Sequence, residues 1–263
     1  MSAACAVVCY GRGGDIIMAV PTVMLAAARH AEVILVVGTR FAPVGRLLQK
    51  LGLPVCKIVE EPSWCPARDQ AVSGSWVGGW GQRMMRERLG FSGEVYNACV
   101  RGVPPGVHMT GYLAYLAGLW PSVSVRPPMP VLGEMEAKNH FAVHFGSSDK
   151  RRVLRLFGRP KWMDGEAVCV GGEADHIESW VDRDWRGKNI EETAEVVGTA
   201  KLVFGSDSLV THLGGVMGRP TICVHSSQID MLNTDRSVYR RGRSVLGGDR
   251  GHSVAEVVRE LLA

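Results

Sequence analysis

Short apolar runs rich in β-branched residues alternate with helical patterns along both halves of this 263-residue chain. In the first half we predict strands at 4–10, 32–38, 54–59 and 94–100, and helices at 15–30, 41–52 and 107–119. In the second half we predict strands at 140–146, 166–172, 201–205 and 220–226, and helices at 149–158, 189–200, 208–218 and 253–263. Such alternation is typical of parallel βαβ units, so it constrains the chain to an α/β fold.

A proline-rich segment separates the two halves. The stretch 120–134 contains four prolines, which argue against a helix or a central strand and favour a linker. We therefore predict two Rossmann-like parallel-sheet domains, residues 1–125 and 126–263, that face a central cleft. Because ligands of such folds bind at the carboxyl ends of the strands, that cleft is the expected site.

Composition excludes other classes of protein. The chain is 46% hydrophobic, which is enough for a sizeable core, but no apolar run is long enough to cross a bilayer. The N-terminus lacks the basic-then-apolar layout of a signal peptide, so a cytoplasmic location is predicted. Its seven cysteines are scattered without a CxxC pair, so we expect neither a disulfide framework nor a zinc site.

Charge is distributed unevenly along the chain. Residues 1–130 carry 12 Lys and Arg against 7 Asp and Glu, a balance of +5, whereas residues 131–263 carry 18 against 19. One interpretation is that the first half meets an anionic partner. The alternative is ordinary surface scatter.

The stretch VFGSDSLVTHLGG places small polar residues between a predicted strand and a predicted helix. Ser206, Asp207 and Ser208 stand where the free N–H groups of a helix start can bind an anion such as a diphosphate. His212 lies one turn beyond Ser208 and can face the same way. Taken singly, Asp207 is a helix cap and His212 an interior histidine, but together they indicate a binding site.

The stretch GRGGDIIMAVP follows the first predicted strand. A glycine-rich turn at this place usually holds phosphate, which the carboxylate of Asp15 would repel. Gly13 and Gly14 can instead let an acceptor molecule approach the backbone, with Asp15 facing it. The alternative for Asp15 is an acid favoured by the positive end of the helix dipole.

Two further segments carry aromatic or charged clusters. Trp76 and Trp80 stand among glycines ahead of Arg83, which suits an acceptor loop that stacks on rings and meets phosphate, or else a surface loop. The basic run 236–244 is interpreted as a solvated face. The DRD at 182–184 is treated as a charged, solvated segment rather than a metal site.

The pattern from Asp207 to His212, followed by a helix and Gly-x-Pro-Thr, resembles the donor-site motif of the heptosyltransferase-like glycosyltransferases of family 9. That motif is roughly D-S/T-G-x-x-H-x-A-A-x-x-x-P-T. Here Leu209 replaces the glycine, and Gly214-Gly215 replaces the alanine pair.

Three other stretches resemble the same family in the same order along the chain. They are the Gly-Asp motif that ends at Pro21, the segment HFGSSDKRR at 144–152 and the strand-turn VCVGGEAD at 168–175. The resemblance implies a two-domain GT-B fold and an inverting hexosyl or heptosyl transfer from a nucleoside-diphosphate sugar, without a metal or another cofactor. The residues that it implies are Asp15 as general base, and Ser147, Lys150, Gly171, Gly172, Asp207, Ser208 and His212 at the donor.

The sequence leaves the acceptor open. A phosphorylated glycolipid of the lipopolysaccharide-core type, reached by peripheral membrane contact, fits the basic first half. A hydroxymethylated base in DNA fits it as well, as in phage-type DNA glycosyltransferases. The third hypothesis is a nucleotide-sugar binding protein without activity, against which Asp15 counts because binding alone needs no base there.

Overall fold

The computed structural model describes residues 2–9, 11–61, 87, 90–98, 103–146, 153–156, 158–247 and 252–263. The chain divides into two compact units, Met1–Pro128 and Met129–Ala263. Within the described ranges each unit contains one sheet, and every strand pair there is parallel. The predicted α/β class with two parallel-sheet domains is therefore confirmed.

The sheet of unit 1 has four strands in the order β3–β2–β1–β4. These strands are β1 (Ser2–Cys9), β2 (His30–Gly38), β3 (Lys57–Glu61) and β4 (Glu94–Asn97). The central strand β1 is buried from Cys5 to Cys9, as its unbroken apolar run predicts for a strand covered on both faces.

The helices with described bounds in unit 1 are α1 (Gly13–Met18), α2 (Val20–Ala27), α3 (Ala42–Lys50) and α4 (Met109–Leu116). The single helix predicted over 15–30 is wrong, since α1 and α2 are separated at Ala19. Pro21 explains the break, because proline has no N–H to donate and is tolerated only in the first turn of a helix.

The sheet of unit 2 has six strands in the order β10–β9–β8–β5–β6–β7. They are β5 (His140–His144), β6 (Glu166–Cys169), β7 (Arg183–Asp184), β8 (Leu202–Ser206), β9 (Thr221–His225) and β10 (Gly242–Leu246). Phe141, Val143 and Phe204 lie in one buried apolar cluster on this sheet. The edge strand β7 is two residues long, and both side chains are exposed.

The helices of unit 2 are α5 (Ile190–Gly198), α6 (Leu209–Val216), α7 (Gln228–Thr234) and α8 (His252–Leu262), with a 3₁₀ turn at Arg236–Val238. The sequence did not predict α7, β7 or β10. The helix predicted over 149–158 is wrong in its described part, because 153–156 is neither helix nor strand. Among the residues described, no helix combines the length and apolarity that a membrane crossing requires.

Candidate functional site

The direction of strand succession reverses between β5 and β8 in unit 2. The chain runs outward from β5 through β6 to β7 on one side, and from β8 through β9 to β10 on the other. Carboxyl ends of β5 and β8 therefore meet at a topological switch point, where open α/β sheets bind ligands. Here the hydroxyl of Ser206 donates to the carbonyl of Gly146, which joins the loops that leave the two strands.

Helix α6 begins directly after this junction. Ser208 is the N-cap of α6, immediately before the first helical residue, and its hydroxyl is buried. The Ser208 N–H donates to Thr211 Oγ1 at 3.4 Å. The first turn of α6 thus brings its N–H groups and the positive end of its dipole to the switch point, as predicted for an anion site.

The carboxylate of Asp207 lies behind this turn and is only 7% exposed. Arg236 Nη2 donates to its Oδ1 at 2.8 Å, and Thr234 Oγ1 donates to its Oδ2 at 3.1 Å. Burial raises the pKa of Asp207, but the Arg236 charge, helped by His212 and His225, outweighs burial and holds that pKa well below its ordinary value. Asp207 is therefore charged and ion-paired inside unit 2.

Arg236 is the partner that sequence reasoning missed. It belongs to the basic run 236–244, for which the sequence predicts a solvated face, and for Arg236 that prediction is wrong because the residue is 0% exposed. Its guanidinium also donates to Thr211 Oγ1 at 2.7 Å and to the Thr234 carbonyl. The only signal in the sequence is indirect, since a buried Asp207 requires a cation from somewhere in the chain.

His212 faces the same interior network. Its Nδ1 hydrogen-bonds the Tyr239 hydroxyl at 2.8 Å, and its Nε2 lies 3.7 Å from Asp207 Oδ1. The structure thus brings together Asp207 and His212, as the motif predicts, but turns both side chains into the domain. A direct contact of either side chain with a donor stays a prediction, and this geometry favours support of the loop.

Gly171 and Gly172 follow β6 at the same edge of the sheet. The N–H of Gly172 donates to Asp175 Oδ2 at 2.7 Å. A Cβ on Gly171, whose φ is 141°, would lie 2.6 Å from Asp175 Oδ2 and 2.7 Å from His144 Nδ1. Close packing and the positive φ explain why residue 171 is a glycine, whereas a Cβ on Gly172 would make only ordinary contacts with Asp175. Contact of either glycine with a donor stays a prediction.

His144 ends β5 beside these glycines. Its Nδ1 lies 2.8 Å from the Val170 carbonyl, which accepts, so Nδ1 carries the proton. Burial lowers the pKa of His144, against a weaker opposite effect of the Val170 carbonyl and Asp175. The imidazole is therefore neutral near pH 7.

In unit 1 the corresponding switch point lies between β1 and β4, and Asp15 stands beyond the end of β1. The Arg12 N–H donates to Asp15 Oδ2 at 2.7 Å. A Cβ on Gly11 would overlap the Asp15 side chain. Gly13 is buried and Gly14 half-buried in the first turn of α1. The place of Asp15 at the switch point suits contact with a ligand. Its hydrogen bond to the N–H of the N-cap residue Arg12 equally fits the alternative, an acid favoured by the helix dipole.

Several predicted residues lie outside the described residues. They are Ser147 and Lys150 of the phosphate segment, and Trp76, Trp80 and Arg83 of the acceptor loop. Their roles stay predictions.

Asp207, Cys223 and His225 have ligand-type atoms within 4.8 Å of one another, and all three residues are buried. Such a set can hold a metal ion in principle. Here the guanidinium of Arg236 already neutralises the carboxylate. A divalent cation would have to share this small buried space with a positive charge, so we assign the cluster to the ion-paired network.

Comparison with solved structures places this fold. A family 9 glycosyl transferase from Veillonella parvula matches with a TM-score of 0.59 at 11% identity, over 93% of this chain and 86% of that one. E. coli heptosyltransferase WaaC with ADP matches with a TM-score of 0.58 at 12% identity, over 92% of this chain and 93% of that one. E. coli ADP-heptose lps heptosyltransferase II matches with a TM-score of 0.60 at 13% identity, over 100% of this chain and 98% of that one.

These likenesses show that the chain has the two-domain GT-B fold of the family 9 heptosyltransferases, so the resemblance in the sequence is confirmed at the level of the fold. No family profile matches the sequence, and no curated protein matches it.

Proposed function

We propose that the protein is an inverting glycosyltransferase that uses a nucleoside-diphosphate sugar. The observation that carries the proposal is the start of α6 at the switch point of unit 2, in a chain with the fold of nucleotide-sugar transferases. We assign the donor to unit 2, and the acceptor and general base to unit 1.

The diphosphate of the donor would bind at the first turn of α6. The N–H groups there can hydrogen-bond phosphate oxygens. The Ser208 hydroxyl is buried, and its contact with the donor stays a prediction. Charge grows on the diphosphate as it leaves, and the positive end of the helix dipole, with Lys150, would stabilise that charge. These groups supply what a leaving group needs, so the proposed reaction proceeds without a metal.

The acceptor hydroxyl would attack the anomeric carbon from the side opposite the diphosphate. A bond from the acceptor oxygen to the anomeric carbon forms as the bond to the diphosphate oxygen breaks, and the hydroxyl proton passes to Asp15. One displacement of this kind inverts the anomeric centre without a covalent intermediate.

Nucleotide binding tests the donor assignment directly. Calorimetry with ADP, UDP, GDP and CDP should show at least one nucleoside diphosphate binding more tightly than inorganic phosphate, because the base and ribose add contacts to the diphosphate. If all four bind no better than phosphate, the donor assignment fails. If the protein binds a nucleoside diphosphate but transfers sugar to no acceptor, the result would instead support the non-catalytic hypothesis.

The +5 balance of residues 1–130 supports an anionic acceptor, and we propose a phosphorylated glycolipid of the lipopolysaccharide-core type. The structurally similar E. coli heptosyltransferase II is named as an lps heptosyltransferase, which favours this acceptor over DNA.

A gel-shift series separates the glycolipid from DNA. We expect no complex with plain or hydroxymethylated duplex at low salt, and sugar transfer to the glycolipid that mass spectrometry detects. A duplex complex would contradict this if it weakened ~10³-fold or more between 50 and 200 mM salt, as roughly six phosphate contacts require. Transfer of sugar to the hydroxymethylated duplex would replace the glycolipid proposal.

A further inference from the structure

Arg236 contacts both segments that meet behind the first turn of α6. Its Nη2 donates to Asp207, just ahead of the helix, and to Thr211, in the first turn. Its Nη1 donates to the carbonyl of Thr234, the last residue of α7. One guanidinium thus joins the loop of the switch point to a separate part of unit 2.

The bond to Thr211 also determines where the threonine proton points. Thr211 Oγ1 lies 3.1 Å from the carbonyl oxygens of both Ser206 and Ser208. Because Arg236 has no acceptor, Thr211 Oγ1 must accept from it, and the single hydroxyl proton is left for one of those carbonyls. Thr211 thus links the guanidinium of Arg236 to the backbone at Ser206 and Ser208.

The segment that carries Arg236 is itself held by close packing. The Asp235 carboxylate caps the 3₁₀ turn by accepting from the Ser237 N–H at 3.0 Å. The Arg236 N–H donates to Ser244 Oγ in β10 at 2.8 Å. A Cβ on Gly242 would overlap the Arg236 carbonyl, so the backbones touch there. The guanidinium is thus anchored on the sheet.

A buried guanidinium is costly, and an apolar pair of similar volume often serves stability as well or better. We propose that Arg236 is a positioning residue for the donor site, which fixes the first turn of α6 in the orientation that binds a diphosphate. This inference rests on the proposed function. In this proposal Arg236 orients the first turn of α6 through its bonds to Asp207 and Thr211 and does not itself contact the donor.

Arg236→Lys is the main test. Lysine keeps the charge but replaces the planar fork by one ammonium group, which cannot reproduce the arrangement of bonds to Asp207, Thr211 and Thr234. We expect the calorimetric Kd for ADP to rise ~10–100-fold, as when supporting residues behind metal ligands are changed. Arg240→Gln, at an exposed arginine of the same basic run, should leave the Kd unchanged.

Hydrogen exchange without nucleotide provides a second measurement. The N–H of His212 bonds to the Ser208 carbonyl within the first turn, whereas the N–H of Val203 bonds to the Pro220 carbonyl in the sheet. Arg236→Lys should speed exchange at Ser208 and His212 and leave Val203 unchanged. Equal acceleration at all three amides would mean a general loss of stability and would overturn the positioning role.

Thr211→Val is the substitute test variant if Arg236→Lys does not fold. It removes one bond of the guanidinium at nearly constant volume and keeps the pair with Asp207. Because it also removes the acceptor of the Ser208 N–H, the measurements here are the Kd and the exchange of His212, which should change in the same direction as in Arg236→Lys. A folded variant with normal ADP affinity and normal exchange overturns the inference. If the wild-type protein binds none of ADP, UDP, GDP and CDP better than phosphate, the proposed donor fails by that result, and the exchange of His212 alone decides the role of Arg236. If another of the four binds in place of ADP, that nucleotide is the probe.

Discussion

Asp15→Asn is expected to lower the rate of sugar transfer by ~10²–10⁴-fold, the usual cost of losing general-base assistance. Asparagine keeps the size of the side chain and can still accept the Arg12 N–H, but it cannot take the proton of the acceptor hydroxyl. Donor affinity should be unchanged, because the proposal places the diphosphate in unit 2. Stability should change by less than ~1 kcal/mol, since asparagine serves a helix start about as well as aspartate.

Three measurements on one purified variant separate the two interpretations of Asp15. Turnover, the calorimetric Kd for ADP and the melting temperature are compared with the wild-type values. Normal turnover with a lowered melting temperature would show that Asp15 serves only the start of α1. His108 and His144, the other candidate bases, are less suited, because both side chains are buried and His108 also caps α4.

Gly215→Ala is expected to destabilise the protein by ~1–3 kcal/mol, the usual cost of overfilling a packed core. A Cβ at this position would overlap the ring of Tyr239, which lies directly against α6. The ring would have to move, and its hydroxyl would leave His212 Nδ1. Urea denaturation measures the change in the free energy of unfolding.

Gly45→Ala is the matched control. Gly45 is also a buried helical glycine, but a Cβ there would lie 3.5 Å from Ile58 and 3.6 Å from Leu35, which are ordinary contacts. Alanine should therefore stabilise α3 by up to ~1 kcal/mol, through its higher helix propensity. If Gly215→Ala were as stable as Gly45→Ala, the close contact with Tyr239 would be wrong.

The same contact explains a departure from the family motif that the sequence alone left without a reason. Alanines in that motif occupy the places of Gly214 and Gly215. Here a Cβ on Gly214 would lie 2.7 Å from a Val203 methyl, and one on Gly215 would overlap Tyr239. The glycines compensate for bulk on neighbouring elements that lie far away in the sequence.

Most strands could be predicted because their apolar runs are buried on both faces of a parallel sheet. β10 could not, because its residues GRSVL lie in a run dominated by arginines. Only Gly242 and Val245 are buried in it, so the strand lacks the continuous apolar signal of its neighbours. Its place in the sheet comes from pairing with β9, which no local pattern encodes.

The candidate site could be predicted only in part, for a related reason. Ser206, Asp207, Ser208 and His212 form a local pattern, and helix-start chemistry can be inferred from adjacent residues. Arg236 contacts Asp207 from 29 positions away, and a charged run gives no sign of which arginine is buried. Tertiary partners of this kind are fixed by the packing of α6 against the segment after α7.

The two-residue strand β7 has a consequence for how the protein behaves at high concentration. A long apolar edge strand is a template on which other chains can add strands and aggregate. β7 offers only Arg183 and Asp184, both exposed, and Arg183 Nη2 lies 3.2 Å from Glu166 Oε2 of β6. The short length and the surface charge of β7 therefore make this edge of the six-stranded sheet a poor template for adding a strand from another chain.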